Sequence, residues 1–142
     1  MVLDDSLNII ENLTLPGLYI SSKGLIDVKQ SKIYFNELDD RLVSVDLNTM
    51  NYQVVKPPFW ISLESVDKTG LIYGVKVTPA MSTLCVLDSE MNLISKHSLK
   101  GGILSVQESE TGMHAIACSG NIGEWGFIED DSFVRVYRID PI

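Results

Sequence analysis

The sequence predicts an all-β fold, and three observations carry that prediction. Helical periodicity is almost absent. From Leu18 onward, short β-branched and aromatic runs alternate with polar and glycine turns. The runs also recur at intervals of about 40 residues. At 142 residues the chain is long enough to bury a core without staples, and 45% apolar with 21% charged residues is a globular composition.

Taken in order, the first element is a helical turn after Asp5-Ser6, where Leu7, Ile10 and Leu13 stand at three-residue spacing. Strands are then expected over Leu18–Ile20, Leu25–Val28, Ile33–Phe35, Leu42–Val45 and Tyr52–Val55. A second set follows at Leu63–Val66, Leu71–Val77, Leu84–Leu87 and Leu93–Ile94, and a third at Ile103–Val106, Met113–Cys118 and Phe133–Ile139. A shift of 41 residues lays Val45 on Val86 and Met50-Asn51 on Met91-Asn92. Val28, Val66 and Val106 stand at intervals of 38 and 40, each ahead of a turn rich in Gly, Ser, Thr or Lys. Val45 and Val86 are therefore expected to face sheet-to-sheet interfaces alike. A period near 40 with four short strands per unit is the pattern of propeller blades, against which stands chance similarity among β-rich segments.

These units define one all-β domain over 1–142, with an N-terminal extension at 1–17 and units at 18–60, 61–100 and 101–142. About three propeller-like antiparallel blades make an incomplete propeller, or a closely related stacked-sheet fold. Closed propellers use four to eight blades, so strand edges stay open unless Leu18–Ile20 pairs with the third unit. The segments Asp67-Lys-Thr-Gly70-Leu-Ile-Tyr73, Val45-Asp-Leu-Asn-Thr49 and Asp131-Ser-Phe-Val-Arg-Val-Tyr137 resemble strands and turns of the WD40 and YVTN-like β-propeller repeats. The match departs from WD40 at Tyr137-Arg138, where that family has Trp-Asp.

Charge narrows the partners. Eleven Lys and Arg against 19 Asp and Glu give a net charge of −8. Such a surface repels nucleic acid and anionic membrane, and suits a basic protein partner or plain solubility. With no signal-peptide pattern and no long apolar stretch, a cytoplasmic location is expected. Cys85 and Cys118 fall in apolar runs and read as buried free thiols.

Motifs for catalysis, cofactors or metals are not found. His97 and His114 lack Cys, His or carboxylate neighbours at ligand spacing. Asp46-Leu-Asn48-Thr-Met50 begins like a calcium loop but has neither its glycine nor its distal glutamate. No nucleophile elbow, phosphate loop or dinucleotide fingerprint appears. Expected site residues come instead from the third unit, where Glu124, Trp125, Phe127, Glu129, Asp130 and Asp131 combine aromatic anchors with carboxylates in a Gly-rich insertion. A solvated acidic loop with its Trp tucked onto the sheet is the competing reading. Pro57-Pro-Phe-Trp60 is expected to fill the space between the first two sheets.

The expected function is a non-enzymatic, acidic protein-binding module without cofactor. In size and charge the chain is similar to small bacterial immunity proteins, which implies a cationic nuclease toxin as partner. A structural module that assembles with its own copies through open sheet edges is the alternative. A propeller-type hydrolase or lactonase comes third.

Overall fold

The computed structural model describes Val2–Leu3, Ser6, Ile9–Glu11 and residues 13–77, 81–118 and 134–140. Among them there are strands and no helix, so the fold is all-β. A small hairpin joins β1 (Val2–Leu3) to β2 (Ile9–Glu11). The first large sheet runs β3 (Leu25–Asp27), β4 (Lys32–Asn36), β5 (Leu42–Asp46) and β6 (Tyr52–Val55) in sequence order. The second runs β7 (Ser62–Val66), β8 (Ile72–Val77), β9 (Met81–Leu87) and β10 (Leu93–Lys100). The third has three strands, β11 (Gly102–Ser109), β12 (Gly112–Cys118) and β13 (Val134–Ile139). Every pairing is antiparallel, as short turns between consecutive strands require, and the sheets do not close into a barrel.

The sheets stack, and the second is the middle layer. Leu25, Tyr34 and Leu42 of the first sheet meet Leu63, Ile72, Cys85 and Leu87 of the second in one core. The opposite face of the second sheet, with Tyr73, Val75, Leu84 and Val86, meets Val106, Met113, Ala115 and Ile139 of the third. A strand exposes alternate residues to opposite faces, so a sheet apolar on both faces reads as nearly continuous hydrophobic runs. Leu84-Cys-Val-Leu87 is such a run, and all four side chains are buried.

Ile61, part of the core between the first two sheets, packs over Gly74, where an added Cβ would lie 2.4 Å from Ile61 Cγ2. Asn36 fastens the same seam. Its Nδ2 donates to the Ile61 carbonyl at 2.6 Å and its Oδ1 accepts the Leu63 N–H at 2.9 Å, so a buried amide is satisfied on both sides.

Several sequence expectations are corrected. Ile9–Glu11 is a strand, not part of a helical turn: a β-branched pair beside an available partner strand overrides a three-residue apolar spacing. Leu18–Ile20 does not join the third sheet. Ile20 bridges to Glu37, and the Leu38 N–H donates to the Tyr19 carbonyl at 3.0 Å, which holds this segment beside the β4–β5 turn. Val28 lies beyond the end of β3 and is 83% exposed, whereas Val106 is buried, so those valines are not equivalent. Trp60 is 47% exposed; Phe59 alone of that aromatic pair packs against the core, its ring 5.0 Å from Lys76 Nζ and 5.7 Å from Lys96 Nζ.

Val45 and Val86 are both buried but face different surroundings. Val86 pairs with Tyr73 and faces the third sheet, while Val45 pairs with Ile33 on the face turned away from the second sheet, beneath Leu13 and Leu15. The cause is one residue. The β5–β6 hairpin runs from Asp46 to Asn51 and the β9–β10 hairpin from Asp88 to Asn92, so a 41-residue shift that matches the turns slips the strands and exchanges their faces.

Candidate functional site

The partner-binding residues expected from the sequence, Glu124, Trp125, Phe127, Glu129, Asp130 and Asp131, lie outside the described residues. A different group comes together at one end of the stack, where the turns following the first strand of each sheet meet. Asp27 ends β3, Asp67 follows β7 and Glu108 lies near the end of β11. A cleft of about 390 Å³ runs between these turns, walled by Ile26, Val28 and Val66 and edged by Lys29 and Lys68. A second cleft, of about 230 Å³, continues from Asp67 and Glu108 toward Arg138 and Asp140.

The β7–β8 turn is built around Asp67. Its Oδ1 accepts the Thr69 N–H at 2.8 Å, the Thr69 hydroxyl at 2.6 Å and the Leu71 N–H at 3.1 Å, the local bonding that makes Asp a turn residue. The buried Tyr73 hydroxyl donates to Oδ2 at 2.9 Å. Burial first, and then that bond to a carboxylate, hold the Tyr73 phenol well above its ordinary pKa. Gly70 closes the turn at φ +91°, in the left-handed region. The Lys68 N–H then donates across to Glu108 Oε2 at 3.1 Å, tying the second turn to the third.

Asp27 is bonded differently. It is only 3% exposed, and its Oδ1 accepts the Gln30 N–H at 3.1 Å. Its Oδ2 is closed to solvent, and no hydrogen-bond donor among the described residues reaches it. This oxygen lies against Gly70 of the neighbouring turn: a Cβ there would stand 3.1 Å from it and 2.2 Å from Gln30 Nε2. Tyr34, which precedes Tyr73 by 39 residues, donates not to Asp27 but to the Ser89 carbonyl at 3.3 Å. Burial, followed by the charges of Asp27, Glu90 and Asp88, pushes the Tyr34 phenol up to about 12.

Other titratable groups are structural. Glu37, almost fully buried, accepts Arg41 Nε at 2.8 Å, the Asp39 N–H at 3.0 Å and the Tyr19 N–H at 3.1 Å. The Arg41 hydrogen bond is the main reason its carboxyl falls to about 2. Cys85 is a buried free thiol, pushed up to about 11 by burial. His114 Nδ1 lies 3.1 Å from the Gly112 carbonyl and 3.3 Å from Ser109 Oγ, within its own hairpin. Among the described residues no group of three or more His, Cys, Asp or Glu is arranged to hold a metal ion.

What this end of the stack offers chemically is acceptance. Asp67 is saturated, while Asp27 and Glu108 keep acceptor capacity beside apolar walls. Sequence reading passed over these three acids, although they stand 40 and 41 residues apart. That is the same period the strands follow, and aligning on acids instead of valines would have found them. Comparison of the chain with protein-family models, curated proteins and solved structures gives no match.

Proposed function

We propose that this chain is a non-enzymatic binding module for a basic protein, its three sheets acting as propeller-like blades that display an acidic surface. The observation that carries this reading is the charge of −8, from 19 acids against 11 bases. Carboxylates in such excess speed encounter with a cationic partner, and a desolvated aromatic side chain slows its release. The most specific version is an immunity protein that neutralises a cationic nuclease toxin in the cytoplasm, with Glu124, Trp125, Phe127, Glu129, Asp130 and Asp131 as contact residues.

The test uses the full chain and a partner purified on it at low salt. Reversing the charges of Glu129, Asp130 and Asp131 should slow association and weaken its salt dependence. Trp125→Ala should speed dissociation and cost about 2 kcal/mol of affinity. A captured protein that is acidic, or affinity that survives both changes, would overturn the reading.

One observation favours a second reading, assembly with other copies. Val134 and Val136 are 70% and 64% exposed on β13, and they alternate with Tyr137 and Ile139, which pack inward. They therefore lie on the face of the third sheet turned away from the second, on the strand that ends that sheet's order among the described residues. Concentration-dependent sedimentation that Val136→Lys abolishes would support assembly.

A further inference from the structure

We propose that the cleft between the β3–β4, β7–β8 and β11–β12 turns receives one lysine or arginine side chain of the partner, with Asp27 as its anchor. The inference rests on the reading of the chain as a binder of a basic protein, and gives that reading a specific receptor. Its first support is Asp27 itself, a carboxylate 97% buried by its 3% exposure, which lines the cleft while its Oδ2 has no donor among the described residues. A buried charged acceptor left without a donor is costly, and an inserted cation supplies donor and countercharge together.

The second support is the shape of the walls. Ile26, Val28 and Val66 line the cleft beside Asp27, and Val28 is 83% exposed. That combination matches a long basic side chain, whose methylene stem covers apolar surface while its head seeks an acceptor. About 390 Å³ is ample for one such side chain. The third support is the charge balance of the rim. Of the charged residues that line the cleft, Asp27, Asp67 and Glu108 stand against Lys29 and Lys68, one acid in excess. A divalent metal ion fits poorly, because no three ligating side chains converge among the described residues. For a cation to reach Oδ2, the flexible Gln30 side chain resting against Gly70 must swing aside.

The experiment is an amide-resolved NMR titration of the full chain with n-butylguanidinium and n-butylammonium chloride, with tetramethylammonium and calcium chloride as controls. The expected result is saturable shifts confined to the amides of Val28, Gln30, Lys68, Gly70 and Glu108, with a dissociation constant on the order of 1 mM for so small a probe. Asp27→Asn should weaken binding at least tenfold, and Glu90→Gln, outside the cleft, should leave it unchanged. Should Asp27→Asn fail to fold, Val28→Lys, which plants an ammonium on an exposed wall, should abolish probe binding instead. Shifts that scatter over the acidic surface without saturating, follow the control cations equally, or survive these variants would overturn the proposal. The two readings fail separately. A basic partner that binds Asp27→Asn as tightly as wild type removes the anchor and leaves the protein-binding function standing. A partner that is not basic removes the function, while the butylguanidinium titration still decides the cleft.

Discussion

Asp27 and Asp67 occupy matching places at the ends of β3 and β7, yet among the described residues the Asp67 carboxylate accepts four hydrogen bonds and that of Asp27 one. Both open a tight turn, and both precede a buried tyrosine in the following strand. In the second sheet that tyrosine reaches back to its own turn. In the first, Tyr34 faces the second sheet and bonds the Ser89 carbonyl, so the carboxylate behind it loses its donor. One turn is closed in on itself as a structural unit, and its counterpart keeps an unmet acceptor beside a cleft. Similar local sequence thus yields a structural acid in one place and a candidate binding acid in the other, and packing makes the choice.

The sharpest way to break this comparison is to remove each acid. Asp67→Ala deprives a turn of three local bonds and strands the buried Tyr73 hydroxyl. It should destabilise the fold by about 2–4 kcal/mol in denaturant melts. Asp27→Asn, which discharges an acceptor with one partner, should change stability by less than about 1 kcal/mol in either direction. Equal losses would mean that the two turns are the same kind of structure.

A smaller effect separates the tyrosines. Tyr73→Phe removes a charge-assisted bond at 2.9 Å and should cost about 1.5 kcal/mol. Tyr34→Phe loses a 3.3 Å bond to a carbonyl and should cost about 0.5 kcal/mol. Chemical melts of the two variants side by side decide it.

Glu37 supplies the limiting case of a fully paired buried carboxylate, and its test is pH. Its folded value of about 2 lies below the ordinary 4.5, so the stabilisation is complete above pH 4.5 and is lost as pH falls through 2. Glu37→Gln should therefore flatten the acid limb of the stability curve. The readout is a series of melts from about pH 6 downward. An unchanged acid limb would show that the Arg41 pairing does not hold the segment around Tyr19.

Much of the fold was legible because strand signals are local. Alternating β-branched residues locate β4, β5 and β8 within a residue and β9 within three, and Asp-Lys-Thr-Gly marks the β7–β8 turn by its own chemistry. β10 extends to Lys100, well past the apolar pair at Leu93-Ile94; beyond that pair its positions toward the third sheet are Ser95, His97 and Leu99, so a single apolar residue marks the rest of the strand. The cleft was harder to read. An isolated Asp at a turn looks the same whether its second oxygen is bonded or not, and here the direction of a tyrosine six or seven residues later distinguishes them.

By itself, then, the sequence determined the all-β class, nearly every strand, the turns between them and the acidic charge, since each depends on side chains within a few residues of one another. Tertiary structure alone decided that the second sheet is the buried middle layer, that Val45 and Val86 face different ways, and that Leu18–Ile20 docks beside the β4–β5 turn. It also decided that acids from three sheets meet at one end. The physical reason is the two-residue repeat of a strand: one residue more or less in a hairpin exchanges every face, and no local signal records which face another sheet will cover.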